Sequence, residues 1–525
     1  MENIKKTMRD RPGYRWMMLF LISGLMFATY WFQDFYGGLK GMMETTMGFT
    51  SEEFGRLIGL TTIANMFGMI IVGGIVLDKF GIRIAGLIFG SLAVLGAAIS
   101  ALATAGFFGD DHSTMLTWMI IGRIMFGSGL EIVCVVVTRT VVKWFKGYEL
   151  ALAMAISVGF GRLGSATGIA LSPDIAGNSV PAAVAFAATL IGIGLIMFVI
   201  YLVFDIRLDR QEAKLNKGKT EEGADEDFKF SDLKKLVTNP SFMYIALLCV
   251  AFYAAVFPFI QYAADMLVNK FGFTYDLPAE GNIILFGSAA MGNAAVFLAF
   301  FIFGIGFSVI PNQMKKLGGK LLALGVILTL FIVFITSLSD YLNIWLKNGP
   351  KTASLIPLGT ILFTPIFGLY VDKKGKAASL MILGSMLLIL AHLSLSIFNS
   401  VFLAYTGLLL LGIAFSLVPA AMWPSVAKIV PENRLGTAYA SMFTVQNWGL
   451  GLFFWGIGAL LDLVNKGKLD AIRAGDASYD YTIPILILVG CGVISIFLSF
   501  KLKQADRKQG YGLELPSGVK AEAQS

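Results

Sequence analysis

The chain has 525 residues, 56% of them hydrophobic and only 14% charged, with mean hydropathy +0.75 and a net charge of +7. A water-soluble fold could not cover that much apolar surface, so the lipid bilayer is the expected solvent. The positive balance sits in short loops rather than on a basic face, which argues against a nucleic-acid partner. The three cysteines, Cys134, Cys249 and Cys491, lie far apart in apolar segments and form neither a disulfide framework nor a metal-ligand set, so no cofactor is expected.

The first apolar run, 16–33, follows Lys5, Lys6, Arg9, Arg11 and Arg15. It carries bulky aromatics and no small-residue cleavage site, so it reads as a retained helix rather than a signal peptide. Charge-free segments of spanning length follow at 57–77, 84–109, 175–204, 236–264, 281–314, 321–339, 352–371, 435–461 and 481–500. The segment 377–427 is long enough for two crossings, broken near Phe398 and Asn399, while 115–140 and 149–172 hold isolated charges. Together these predict about 14 transmembrane helices of roughly 20 residues each.

Lys and Arg fix the expected orientation. Counting from a cytoplasmic N-terminus puts Lys79 and Arg83, Lys143 and Lys146, the segment 205–235, Lys373, Lys374 and Lys376, Lys428 and Arg434, and Lys501 and Lys503 inside. Glu44, Glu52, Glu53, Asp110, Asp111 and Asp174 fall outside. Residues 205–235 hold eight basic and nine acidic side chains and read as a solvated, partly disordered linker.

The octamer from Gly74 to Gly81 recurs from Gly368 to Gly375, both reading G-x-x-x-D-K-x-G, with Arg83 and Lys376 close behind. The first copy follows the second span; the second follows the fourth span after the linker. Two spans at 283–339, joined by the basic turn from Lys315 to Lys320, therefore read as an insertion into a duplicated chain. The expected fold is an all-α polytopic membrane protein of two pseudo-symmetric six-helix bundles plus an inserted hairpin. Its parts are an N-terminal bundle (1–204), the linker, a C-terminal bundle (236–504) and a cytoplasmic tail (505–525).

The repeated turn resembles the signature of the major facilitator superfamily, G-x-x-x-D-[RK]-x-G-[RK], met by Gly74, Asp78, Lys79 and Gly81, with Ile82 before Arg83 as a departure. Arg123, Gly127 and Gly129 match a second motif, R-x-x-x-G-x-G. The stretches from Tyr253 to Ile260, Lys270 to Phe273, Ala421 to Ala427, Val430 to Glu432, Leu435 to Tyr439, Gln446–Asn447 and Trp144 to Gly147 are similar to the lysosomal dipeptide-uniporter branch. The resemblance implies a transporter working by alternating access, not an enzyme.

Charges inside the membrane carry the site argument, since each costs ~2.5–3.5 kcal/mol at a helix centre. Glu131 precedes Lys143, and Arg162 follows Tyr148, by distances that place them ~18 and ~21 Å from the basic turn. Both are near the midplane, where one anion and one cation suit a zwitterion whose termini are ~7 Å apart. Glu131 would take the ammonium and Arg162 the carboxylate, a role the resembling branch also implies. The alternative is that the two simply pair and brace their helices. Trp423, on a helix expected to break at Pro419 and Pro424, either stacks on substrate or packs. Tyr253, Phe257, Gln261 and Gln446 line the path or bond between helices. Asp34 is either a proton carrier or an interfacial charge, and Arg123 and Arg139 read as snorkelling. His392 reads as a hydrogen-bonded helix residue.

Under the family logic Asp78, Lys79, Arg83, Asp372 and Lys373, with Gly74, Gly81 and Arg123, form a gate whose helix ends latch across the halves on the cytoplasmic side. The expected substrate is a small zwitterion, dipeptides first, moved by facilitated diffusion. The alternatives are a proton-coupled organic-anion or drug carrier and a non-transporting membrane sensor. The expected location is a plasma, or bacterial inner, membrane. The sequence says nothing of an accessory subunit.

Overall fold

The computed structural model describes residues 7–215, 230–431 and 434–516, and every regular element among them is helical. The first part comprises α1 (Pro12–Asp34), α2 (Lys40–Met47), α3 (Ser51–Gly59), α4 (Ile63–Met66), α5 (Met69–Thr104), α6 (His112–Phe145), α7 (Leu150–Ala176) and α8 (Val180–Leu215). Next come α9 (Phe230–Val237), α10 (Pro240–Phe271), α11 (Ala289–Gln313), α12 (Leu317–Ser337), α13 (Ser339–Trp345), α14 (Gly349–Ala353) and α15 (Leu355–Lys374). The chain continues through α16 (Ala377–Ile397), α17 (Val401–Ile429), α18 (Leu435–Val464), α19 (Leu469–Arg473) and α20 (Thr482–Gln509).

Among the described residues, 13 helices are long and apolar enough to cross a membrane, one fewer than the charge-free segments suggest. The difference lies in α5. Its 36 residues would reach ~54 Å as one straight helix, well beyond a ~30 Å hydrocarbon core. The backbone breaks inside it at Gly81 (φ 76°, ψ 175°), so α5 holds the end of one crossing and all of the next. That φ is one L side chains rarely adopt, and Gly375, the matching residue of the second octamer, also has positive φ (71°). The repeated motif thus ends in glycine because both turns need the same backbone reversal. The crossing before Gly81 is also less regular than an uninterrupted 57–77 helix. It passes through α3, a 3₁₀ turn, α4 and Gly68 (φ 87°) before α5 begins.

α1 packs on α6, α7 and α8, and α5 on α6 and α8. Past residue 240, α10 packs on α17, α18 and α20, α16 on α17 and α20, and α15 on α17. The two sets meet where α3 packs on α18 and where α7 packs on α11, α14 and α15. The hairpin expected at 283–339 is α11 and α12. α12 buries only 6% of its most apolar window, whereas α11 leans on α7 through Phe301 against Phe160 (centroids 4.9 Å).

The described ends of the expected linker are helical. Residues 205–215 continue α8, and Asp205 is fully buried because Arg83 and Lys143 (Nζ 2.8 Å) reach it. Residues 230–235 belong to α9, and 216–229 lie outside the described residues, so the linker expectation is untested there. After α20 the chain folds back: Lys376 N–H donates to Glu514 O (3.0 Å), and Ser379 Oγ donates to the Glu514 carboxylate (2.6 Å). Residues 517–525 of the tail lie outside the described residues.

Candidate functional site

The midpoints of α6, α7 and α10 converge. Glu131 on α6 and Arg162 on α7 are both half-buried, and Tyr30 on α1 and Tyr253 on α10 each lie within electrostatic range of both. Tyr253 therefore brings the part of the chain past residue 240 up to the two charges. Among the described residues neither Glu131 nor Arg162 makes an ion pair or a hydrogen bond, to each other or to anything else. The Arg162 guanidinium instead lies over the ring of Phe415 (4.6 Å). A cation held on a ring face keeps its N–H fork available for a carboxylate.

An aromatic wall continues from there. Phe257 stacks on Tyr253 (5.3 Å), and Phe415 stands edge-on to both. Trp423 Nε1 donates to the Tyr253 hydroxyl (3.0 Å), its ring stacks on Phe443 (4.8 Å), and Tyr439 donates to its carbonyl (3.2 Å). Trp423 thus joins α17 to α10 and α18. The expected break in its helix does not occur: α17 runs through Pro419 and Pro424, as α10 runs through Pro258. Gln446 is buried and accepts from the Cys249 thiol (3.3 Å), so it bonds between helices rather than facing open space.

Asp34 is not an interfacial charge. It is 5% exposed, accepts from Gln261 Nε2 (2.7 Å), and lies within electrostatic range of Arg162 and Arg123. Arg123 does not snorkel; it is fully buried, donating to Thr61 Oγ1 (3.0 Å), Phe32 O (2.8 Å) and Gln33 O (3.3 Å). It clamps α6 to the end of α1. His392 is buried, with Nδ1 2.9 Å from Leu388 O in its own helix.

The expected latch takes a different form. Asp78 pairs with Arg139 (2.6 Å), which therefore does not merely snorkel, and Arg83 pairs with Asp205 (2.6 Å) and with Asp209. These pairs stay within the first 215 residues. Lys79 lies near the ring of Phe80 (5.5 Å), Gly74 faces open space, and Lys373 is exposed. At the second copy, the turn is met by the folded-back chain around Glu514.

Bonds between the two parts of the chain concentrate on the face opposite the chain ends. Lys40 Nζ donates to Glu44 (2.7 Å) and Asp265 (2.8 Å), and Lys351 Nζ to Asp174 (2.7 Å). Asp462, at the end of α18, accepts from the Ser51 and Glu52 N–H groups at the start of α3 (3.3 and 2.7 Å). α3 and α18 approach so closely that a Cβ on Gly458 would lie 2.1 Å from Ser51 O. Sequence reasoning missed this cluster. Asp265 directly follows the charge-free run 236–264, whereas α10 continues through it to Phe271. The i,i+4 spacing of Lys40 and Glu44 was the available signal.

A sequence profile of the Major Facilitator Superfamily matches residues 19–349 and 350–518. The lysosomal dipeptide transporter MFSD1 of Danio rerio is 26% identical over 459 residues, spanning 86% of this chain and 81% of the relative. Its Homo sapiens counterpart is 26% identical over 469 residues, with the same shares. Among solved structures, an inward-facing, unoccupied bacterial homolog of the human lysosomal transporter Spinster superposes with TM-score 0.58 at 11% identity, covering 97% of this chain and 100% of that one. The nucleoside transporter NupG gives 0.56 at 14% identity, covering 94% and 98%. With a family profile over nearly the whole length and a matching all-helical membrane fold, the chain belongs to the major facilitator superfamily.

Proposed function

We propose that the protein carries small zwitterions, dipeptides first, across a membrane by alternating access without ion coupling. The observation that carries this reading is the unpaired state of Glu131 and Arg162. An unpaired charge in the middle of a spanning helix is costly, and a purely structural pair would close on itself. Two opposite charges held apart beside Tyr253 offer an ammonium and a carboxylate their counter-ions at once. The aromatic wall of Phe257, Phe415 and Trp423 supplies apolar surface for what lies between. The names of the relatives point to the same substrate class.

The proposed architecture is two six-helix bundles with α11 and α12 inserted into the second, and the site at their interface. Clusters of Lys and Arg near the chain ends support cytoplasmic termini. The proposed location is the plasma, or inner, membrane; fractionation separates this from the lysosomal location named for the relatives.

Glu131→Gln and Arg162→Ala should each lower dipeptide uptake into proteoliposomes about a hundredfold or more, as loss of a buried charged contact worth ~3 kcal/mol or more implies. Expression and melting temperature should hold. Uptake at the unmutated rate in both variants would remove the site. Accumulation above equilibrium under an imposed pH gradient would favour the proton-coupled carrier, and saturable binding without flux would favour a sensor.

A further inference from the structure

The polar cluster on the face opposite the chain ends has an unbalanced charge. Lys40 is completely buried between Glu44, 8% exposed, and Asp265, 1% exposed. One cation and two carboxylates leave a net negative charge in a nearly dry site, which a bound proton would cancel. The two acids are not equivalent. Both Asp265 oxygens are occupied: Oδ2 accepts from Lys40 and the Tyr481 hydroxyl, Oδ1 from the Tyr275 hydroxyl and Asn269 Nδ2 (3.1 Å). Glu44 concentrates its bonds on Oε1, which accepts from Lys40, Ser51 Oγ (2.7 Å) and the Tyr479 hydroxyl (3.3 Å). Among the described residues its Oε2 has no hydrogen-bond partner, leaving a free position on the acid that retains some solvent access.

We propose that Glu44, sharing Lys40 with Asp265, is a proton-binding site that locks this face of the protein closed when protonated. The cluster joins α2 to α10 and to the segment leading into α20, so opening this face must pull it apart and wet it. Tyr262 of α10 and Asp462 of α18, whose charge is already met by the start of α3, also lie near it. α3, which packs on α2, carries Glu52, bonded by Trp455, Glu53, bonded by the Thr50 N–H and His112, and Arg56. α8, which also packs on α2, carries no charged residue before Asp205.

Burial pushes the Glu44 pKa up, against the pull of Lys40. On the neighbouring lysine burial acts the other way, but Asp265 and Glu44 outweigh it and keep the ammonium charged. When the face opens, Glu44 returns towards the ordinary value of about 4.3. A group whose pKa is raised in the closed state favours that state fully below the open-state value. It loses the effect as pH rises through the closed-state value. Acid on this side therefore holds the face shut, and a rise in pH releases it. The proton binds and leaves on the same side, so it regulates the carrier without being carried. The inference is independent of the substrate assigned above.

The test is a spin-label distance between Thr45→Cys and Asp470→Cys, two exposed positions on this face, in full-length protein in nanodiscs without substrate. All arms share a background with the native cysteines replaced by serine. As pH rises from about 4.5 to 8, the ratio of open to closed distances should rise by up to about tenfold per pH unit within the window, the limit for one proton. E44Q should hold the closed distance at every pH, and Glu44→Ala, the second variant, should also flatten the response. A wild-type distribution that ignores pH, or a response that survives in both Glu44 variants, overturns the proposal. So does a response lost in His112→Gln and kept in E44Q, since His112, 3.1 Å from Glu53, is another titratable group on this face.

Discussion

The two faces of the molecule use their charges differently. Opposite the chain ends, Lys40 with Asp265, Lys351 with Asp174, and Asp462 with the start of α3 all bridge between the first 215 residues and those after 240. On the face of the chain ends, the described pairs Arg83–Asp205, Lys143–Asp205, Arg15–Glu149 and Lys503–Glu514 each remain within one part. Both faces are rich in ion pairs, so their number does not distinguish them. Among these pairs, what differs is whether a pair must break when the two parts separate. A pair within one part survives if the parts move as units, whereas a pair between them must break if that end is to open.

That contrast can be broken most forcefully at Lys40. Lys40→Met leaves Glu44 and Asp265 buried without their shared cation, a change of ~3–5 kcal/mol for a dry pair. Scanning fluorimetry should show a clear fall in melting temperature, and the Thr45–Asp470 distance should lengthen; an unaltered protein by both measures would mean the cluster holds nothing. Next comes Gly458→Val, whose side chain would collide with Ser51 O. The overpacking cost of ~1–3 kcal/mol should appear as added solvent access along α3 and α18, read by hydrogen exchange, with no change at the chain-end face.

Gly81→Ala and Gly375→Ala act on the other face. Each forces a side chain into positive φ at a cost of ~1–2 kcal/mol, but a Cβ on Gly375 would also lie 2.4 Å from Leu515 C whereas one on Gly81 meets nothing within 4 Å, so Gly375→Ala should cost more. Equal effects in a two-variant melt would show that the folded-back chain at Glu514 and Leu515 does not press on the second turn. The smallest effect is expected at Arg83→Gln. The Arg83 side chain is 31% exposed, and Asp205 keeps Lys143, Tyr201 and Trp144, so the loss should be about 1 kcal/mol or less and shrink in high salt.

Much of this was legible in the residues. Spanning segments follow from the absence of charge over ~20 residues, because the bilayer penalises each charge independently of what surrounds it. The helix pair α11 and α12 was legible as the charge-free runs 281–314 and 321–339 around the basic turn from Lys315 to Lys320. Glu131 and Arg162 could be singled out because a charge in an apolar run is conspicuous. Phe415, which holds Arg162, could not: one phenylalanine among 43 carries no signal. The pairing at the first octamer differs from the expected latch for a related reason. Asp78 and Arg83 were placed by motif, but their partners Arg139, Asp205 and Asp209 are set by which helices neighbour them in space.

By itself the sequence determined the solvent, the approximate number and order of crossings and the family. Each rests on local composition or on a repeated local pattern, which one chain displays in full. Tertiary structure alone decided which charges are partners. Glu131 and Arg162 stand apart and Lys40 is shared, because ion pairs depend on a few ångströms between helices far apart along the chain. Coulomb energy at those distances turns on packing that no local pattern records.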